Sequence, residues 1–124
     1  KEFQATMGDQ FKPAALLDFE LASLGPPELD VFWLIEMNRM RSRGRLPPGY
    51  LNERETIEAY EGLSGRTLRH ANWYTLFSAT KVAVLMLRHL KVRAELGDMP
   101  ADHPVMTDNV ATRRLQALVE ETTA

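Results

Sequence analysis

The stretch ALLDFELASLGPPELDVFWL, residues 15–34, decides the fold class that we expect for this chain. An apolar run precedes its Gly-Pro-Pro break and is too short for a typical helix, so we predict that Pro13 to Phe19 form a buried strand. The break at Gly25 to Pro27 favours a helix start, because Pro is common in the first helical turn. From Leu29 onward apolar residues recur at helical spacing, which predicts an amphipathic helix with one buried face.

Outward from this stretch, the sequence predicts a short β-hairpin followed by four helices. Turn residues at Met7 to Gln10 place the hairpin at residues 6–17. Beyond the first helix, further helices are expected at residues 53–63, 70–96 and 108–121. Asn52 is the expected N-cap of the second helix, with Glu55 completing a capping box. The expected fold class is therefore α+β and mostly α, with a hairpin segment over 1–25 and a helical subdomain over 26–124.

The predicted core follows from the apolar spacing of these helices. On the first helix, Trp33, Met37 and Met40 are expected inside, on a face where Glu36 is the single polar residue. The stretch Val82 to Leu87 is apolar nearly all round, so we expect it at the centre of the helical bundle. On the last helix, the residues expected to face inward are Leu115, Leu118 and Val119.

Composition bounds the classes of protein that this chain can belong to. The 124 residues are 44% hydrophobic and 26% charged, with a net charge of −2, which indicates one folded domain and argues against a general nucleic-acid binder. The absence of cysteine excludes disulfides and thiolate metal sites and fits a reducing compartment, so we expect a cytoplasmic protein. The longest apolar run, residues 81–90, contains three basic residues, and the start KEFQATMGDQ has no apolar stretch, so neither a membrane span nor a signal peptide is expected.

Asp18 is the residue to which the sequence assigns chemistry. It lies at the end of the predicted strand, where a carboxylate can project into a cleft, and Asp30 follows at the start of the first helix. Magnesium prefers one or two such carboxylates together with phosphate oxygens and water. The alternative is that Asp18 is a turn residue whose side chain caps nearby backbone N–H groups.

These residues resemble the aminoglycoside phosphotransferase family, the protein-kinase-like kinases of small molecules. In that family a strand ends in Ile/Leu-Asp-Trp/Phe-Glu, and a Leu-Gly turn and a helix opening with Asp-Leu-Ala-Trp follow. The same order stands here as Leu17 to Glu20, Leu24-Gly25 and Asp30 to Trp33. The branch found beside acyl-CoA dehydrogenases is similar further along the chain, at Glu58-Ala59-Tyr60, Leu63 to Arg66 and Trp73-Tyr74.

The resemblance implies the C-terminal lobe of a phosphotransferase that uses ATP and Mg²⁺ and transfers the γ-phosphoryl group to a hydroxyl of a small molecule. It makes Asp18 the metal ligand and gives Asp30 a structural role in support of the catalytic loop. It also places the acceptor beside the following helices, so Glu36, Asn38 and Arg39 are candidates for the acceptor wall. A solvated helix face is the alternative for those three residues. The basic cluster Arg39 to Arg45 is a candidate for contact with an anionic acceptor such as a phosphate or a CoA-like group, and a solvated basic loop is the favoured alternative.

The sequence departs from the family at its catalytic loop. The family's His-Gly-Asp, followed five residues later by Asn, is missing, and Gly8-Asp9 has neither the preceding His nor the following Asn. The glycine-rich strands and the lysine that hold ATP are also missing, so we expect a fragment that contains no catalytic aspartate, is inactive alone and binds neither ATP nor Mg²⁺ tightly. Nucleotide and a hydroxyl substrate are the expected partners of the intact protein, with neither nucleic acid nor membrane, and open strand edges predict self-association. The alternative is a non-catalytic helical module for interaction or dimerisation.

Overall fold

The computed structural model describes residues 22–42 and 45–123, which form four α-helices and one short 3₁₀ helix. In chain order these are α1 (Glu28–Ser42), α2 (Glu53–Ser64), α3 (Ala71–Glu95), the 3₁₀ helix Pro104–Met106 and α4 (Val110–Thr123). The long helix α3 packs against both α1 and α4, and α2 packs against α1. The arrangement is therefore a bundle built around α3, with α1 as the second central element.

The predicted α+β class is wrong for the part of the chain that the structure describes. Residues 22–42 and 45–123 contain no strand, because each long segment between Pro and Gly breaks has helical spacing and forms a helix. The class prediction depended on the hairpin over residues 6–17 and on the strand Pro13 to Phe19, and both lie outside the described residues. The fold that positions the candidate site is α-helical.

Local capping signals set the helix ends, largely as predicted. At the start of α2 the Asn52 side chain accepts a hydrogen bond from the Glu55 backbone N–H at 3.0 Å, and the Glu55 carboxylate accepts one from the Asn52 backbone N–H at 2.9 Å. This confirms the capping box. Gly65 ends α2 in the left-handed conformation, with φ +66°. Helix α4 starts two residues later than predicted, because Asn109 caps it by accepting from the backbone N–H groups of Ala111 and Thr112.

The core consists of two clusters on opposite sides of α1. The first core cluster is Val31, Phe32 and Ile35, against which Ile57, Tyr60, Leu68 and Tyr74 pack. The second core cluster is Val82, Ala83 and Ala111, against which Trp33, Met37, Met40, Met86 and Leu115 pack. The predicted inward positions of Trp33, Met37 and Met40 are thus confirmed.

The central position predicted for Val82 to Leu87 is wrong in part. Val82 and Ala83 are buried, whereas Val84, Leu85 and Leu87 are 61%, 50% and 48% exposed. Helices α1 and α4 cover the side of α3 that carries Val82, and no other described helix covers the opposite side. Val119 on α4 is also exposed, contrary to expectation. No helix of the described chain has both the length and the apolar character needed to cross a membrane.

Candidate functional site

A buried carboxylate on α1 is the centre of the candidate site. The Glu36 side chain is only 3% exposed and lies on the face of α1 that is otherwise apolar. Arg114 of α4 donates to both of its oxygens, from Nη2 to Oε1 at 3.1 Å and from Nε to Oε2 at 3.4 Å. A buried charge is costly without a partner, and this two-point contact supplies one.

Arg39 extends this ion pair to a third helix. Its Nε lies 3.6 Å from Glu36 Oε1, one turn earlier on α1. Its Nη2 donates to the Glu53 carboxylate at the start of α2. The four side chains of Glu36, Arg39, Glu53 and Arg114 therefore connect α1, α2 and α4 through one chain of charge pairs.

A cavity of about 540 Å³, which we call the interhelix chamber, opens beside this ion-pair cluster. Three arginines and one carboxylate supply its polar wall, and small or flexible apolar side chains supply the rest. Its lining residues are Glu36, Arg39, Met40, Ala79, Val82, Val110, Ala111, Arg113 and Arg114. The chamber thus combines a cationic wall with an apolar one, a combination typical of sites for small molecules.

Two further cavities share Arg39 with the chamber. One, of about 690 Å³, is lined by Arg39 and Arg114 together with Glu53, Asn72 and Thr75. The other, of about 310 Å³, contains Asn38 and lies between α1 and the segment before α2. Of the three candidates for the acceptor wall, Glu36 and Arg39 therefore lie together in the chamber, and Asn38 lines a neighbouring cavity.

The two predicted aspartates differ in what the structure describes of them. Asp18 lies outside the described residues. Asp30 is exposed on the first turn of α1 and lines a groove of about 650 Å³, the Asp30 groove, with Ala22, Ser23, Leu29, Trp33, Lys81 and Leu85. Lys81 of α3 lies over the Trp33 ring, with Nζ 4.6 Å from the ring centroid. The groove therefore carries both charge signs beside an aromatic surface.

The basic cluster Arg39 to Arg45 divides in the structure. Arg39 is held by Glu36 and Glu53, whereas Arg41 and Arg45 are exposed. Arg43 lies outside the described residues. Of the arginines in this cluster that the structure describes, Arg39 alone lines the chamber.

Glu28 ties the start of α1 to the loop before α3. Its carboxylate accepts a hydrogen bond from the Arg69 backbone N–H at 3.0 Å. This bond lowers the pKa of the Glu28 carboxyl, as do its own backbone N–H and the positive charges of His70 and Arg69, while burial acts in the opposite direction. Glu28 is thus held ionised at a place where the helix dipole also favours an anion.

Sequence reasoning missed Arg113 and Arg114, which supply most of the cationic wall. A signal for Arg114 was available, because Glu36 stands alone among apolar positions and a buried carboxylate requires a cationic partner. Nothing in the spacing of α4 identified which of its basic residues would meet Glu36, since the two residues are 78 positions apart.

A search for clustered metal ligands among the described residues and comparisons with family models and solved structures both give no match. Within residues 22–42 and 45–123, no group of three or more His, Asp or Glu side chains is arranged to hold a metal ion. No protein-family model matches the sequence, and no solved structure matches it. Any assignment of function therefore depends on the residues themselves.

Proposed function

We propose that this chain is part of an ATP- and Mg²⁺-dependent phosphotransferase that transfers the γ-phosphoryl group to a hydroxyl of a small molecule. The observation that carries the proposal is the interhelix chamber. Glu36 and Arg39, which the family resemblance puts in the acceptor wall, lie together in the lining of this chamber. Its size is within the range of about 300–1,000 Å³ that is usual for small-molecule sites.

The position of Asp30 is a second support for the proposal. Ala22 and Ser23 line the Asp30 groove, so the chain that leads from Asp18 enters the described region beside Asp30. Ala22 follows Asp18 by four positions, and an extended chain spans at most about 3.5 Å per residue, so their Cα atoms are within about 14 Å of each other. A carboxylate at position 18 and a bracing carboxylate at position 30 are therefore compatible with one site.

In this proposal the described residues shape and charge the acceptor site, and they carry no metal or nucleotide. Mg²⁺, when bound with ATP, supplies charge neutralisation of the phosphates and is assigned to Asp18. The general base is assigned to a catalytic loop that this sequence does not contain. The 124-residue chain is accordingly expected to be inactive alone.

The experiment that tests the proposal is phosphoryl transfer by the full-length protein that contains this chain. With Mg-ATP and a panel of small hydroxyl compounds, Asp18→Ala is expected to lower turnover by about 100-fold or more, because the phosphates lose their positioning. Asp9→Ala is the matched control, since Asp9 lacks the flanking residues of a catalytic loop, and it is expected to keep its turnover. Equal turnover in Asp18→Ala and the unmodified protein would refute the proposal.

A non-catalytic interaction module is the second candidate function. It is favoured by the apolar stripe of Trp73, Phe77, Val84 and Leu87 on α3, which is between 38% and 61% exposed and lies opposite the buried side of the helix. Large exposed apolar patches often mark surfaces for protein partners. No phosphoryl transfer by the full-length protein, together with stable association through this stripe, would favour this candidate over the phosphotransferase.

A further inference from the structure

We propose that the interhelix chamber binds a small amphipathic anion, an aliphatic chain with a phosphate or carboxylate group, with the anionic group at Arg113 and Arg114 and the chain against Met40, Ala79 and Val82. As a statement about the acceptor, this rests on the proposed function. The binding itself needs neither ATP nor Mg²⁺, so it can be measured separately.

The charge of the lining selects an anion. Three guanidinium groups and one carboxylate line the chamber. Arg114 donates two of its N–H groups to Glu36, and a guanidinium has five, so further donors remain for an oxygen-rich ligand. Glu53 and Asp108 pair with Arg39 and Arg113, so an anionic ligand competes with exposed carboxylates for these two guanidinium groups.

Arg113 is the arginine of the chamber that can most easily exchange its present partner for a ligand. Its present partner is Asp108, at 2.9 Å, and both side chains are 66% exposed. Exposed ion pairs of this kind contribute little to stability, so exchange of Asp108 for a ligand oxygen costs little. Arg114, by contrast, is held by the buried Glu36 and is already oriented. The wall thus offers one fixed and one exchangeable guanidinium.

The apolar side of the chamber explains why the ligand should be amphipathic. Ala79 and Ala111 are 2% and 4% exposed, and their small side chains leave the space that forms the chamber between α3 and α4. Met40 and Val82 add an aliphatic surface, and a flexible Met side chain adapts to ligands of different shape. Inorganic phosphate would contact only the cationic wall and would leave this surface wet.

The Glu36–Arg114 ion pair also has a structural role, because it links α1 to α4. Variants that measure ligand binding should therefore leave this ion pair in place. Arg113 takes no part in the Glu36–Arg114 ion pair, because it pairs with Asp108. Arg113→Gln therefore leaves the Glu36–Arg114 ion pair intact while it removes a charge from the chamber wall. Arg93→Gln is the matched control, since Arg93 also forms an exposed ion pair with an aspartate five residues later, Asp98, and lies outside the chamber.

The experiment is titration calorimetry of the 124-residue chain with hexyl phosphate, and with hexanol and hexylamine as uncharged and cationic analogues of equal length. We expect hexyl phosphate to bind at least about tenfold more tightly than either analogue, since hydrogen bonds between charged groups are stronger than those between neutral ones. Affinity should fall as salt is raised, because ions screen the guanidinium charges at the chamber wall. Arg113→Gln should weaken binding about tenfold, and Arg93→Gln should not.

A second pair of variants tests the location without touching any ion pair. Val110 lies in the chamber lining and is 42% exposed, and Val119 is 45% exposed on the same helix but outside it. Val110→Glu adds a negative charge beside the anion and is expected to weaken binding of hexyl phosphate about tenfold, while Val119→Glu leaves it unchanged. Equal effects of these two variants would show that the anion binds elsewhere.

Besides equal effects of the two valine variants, three results would overturn the inference: a Kd for hexyl phosphate weaker than about 1 mM, equal affinity for hexylamine, or equal effects of Arg113→Gln and Arg93→Gln. Its failure is distinguishable from that of the phosphotransferase. Binding with the expected variant effects, alongside full turnover in Asp18→Ala, would retain the anion site and refute the proposed function. If hexyl phosphate does not bind but phosphoryl transfer depends on Asp18, the anion site is refuted and the proposed function is retained.

Discussion

At the scale of single residues, Glu36 is the most informative side chain of this protein. It is a carboxylate, 3% exposed, in the middle of a helix face that otherwise packs against apolar side chains. Paired with Arg114 and Arg39, it need not stabilise the fold more than an apolar residue would, because desolvation offsets the Coulomb attraction. Its pairing does fix which residue of α4 lies against α1.

Removal of one partner of the Glu36–Arg114 ion pair should lower the free energy of unfolding far more than removal of both partners. Glu36→Ala leaves Arg114 without its carboxylate and is expected to lower the free energy of unfolding by about 3 kcal/mol, whereas the double variant Glu36→Met with Arg114→Met should lie within about 1 kcal/mol of the parent. Urea unfolding of the single and double variants measures both. A single variant that loses less than the double one would show that the pair is not coupled.

Glu28 predicts a pH dependence of stability. Its pKa in the folded chain is below the unfolded value of about 4.3, so its contribution is complete above that pH and is lost as pH falls through the folded value. Glu28→Gln should therefore be less stable at neutral pH and lose less stability on acidification than the parent. Thermal unfolding between about pH 7 and pH 3 checks this. Glu58→Gln, which removes only an exposed ion pair with Arg54 on α2, is the control and should stay close to the parent curve, because exposed pairs contribute little.

At the scale of elements, the helices end where local chemistry stops them. The capping box at Asn52 and the left-handed Gly65 bound α2 on both sides. Gly97, also left-handed with φ +80°, follows the end of α3. These signals act within a few residues of the chain, so they can be recognised in the sequence without tertiary contacts.

Two glycines of α2 allow the effect of helix propensity to be separated from that of the left-handed backbone. Gly62 and Gly65 both have open space where a Cβ would be, but Gly62 is inside α2 and Gly65 has φ +66°. Gly65→Ala is expected to destabilise the protein by about 1 kcal/mol, because alanine is strained in the left-handed region. Gly62→Ala should stabilise it by about 0.5–1 kcal/mol through helix propensity. Chemical unfolding of the two variants should give opposite signs, and equal signs would refute the conformational explanation.

At the scale of the whole molecule, α1 is covered on two sides and α3 on one. The first core cluster joins α1 to α2 and to the start of α3, where the rings of Phe32 and Tyr74 stack with centroids 6.2 Å apart. The second core cluster joins α1 to the middle of α3 and to α4. On the opposite side of α3, the stripe of Trp73, Phe77, Val84 and Leu87 is between 38% and 61% exposed.

This stripe predicts self-association of the 124-residue chain, with a second copy covering it. Sedimentation at rising protein concentration should show a monomer that forms larger species, because exposed apolar area favours association. Val84→Glu with Leu87→Glu should keep the chain monomeric. Leu63→Glu is the control, since Leu63 is 91% exposed on α2 and away from the stripe, and it should associate like the parent. A chain that stays monomeric throughout contradicts the prediction.

The sequence by itself determined most helix boundaries, the capping of α2 and the side of α1 that carries Trp33, Met37 and Met40, because caps, breakers and apolar spacing act over one or two helical turns. It did not predict the burial of Val31 and Ile35 on the other side of α1, and it placed Val84, Leu85 and Leu87 in the core although they are 48% to 61% exposed. Neighbouring helices decide both outcomes, and no described helix covers that side of α3. The tertiary structure alone decided that Arg114 meets Glu36 and that Arg113 joins it at the chamber. The packing of α4 in the bundle brings Arg114 within hydrogen-bond distance of Glu36, 78 positions earlier in the chain. No local sequence pattern predicts a contact over that separation.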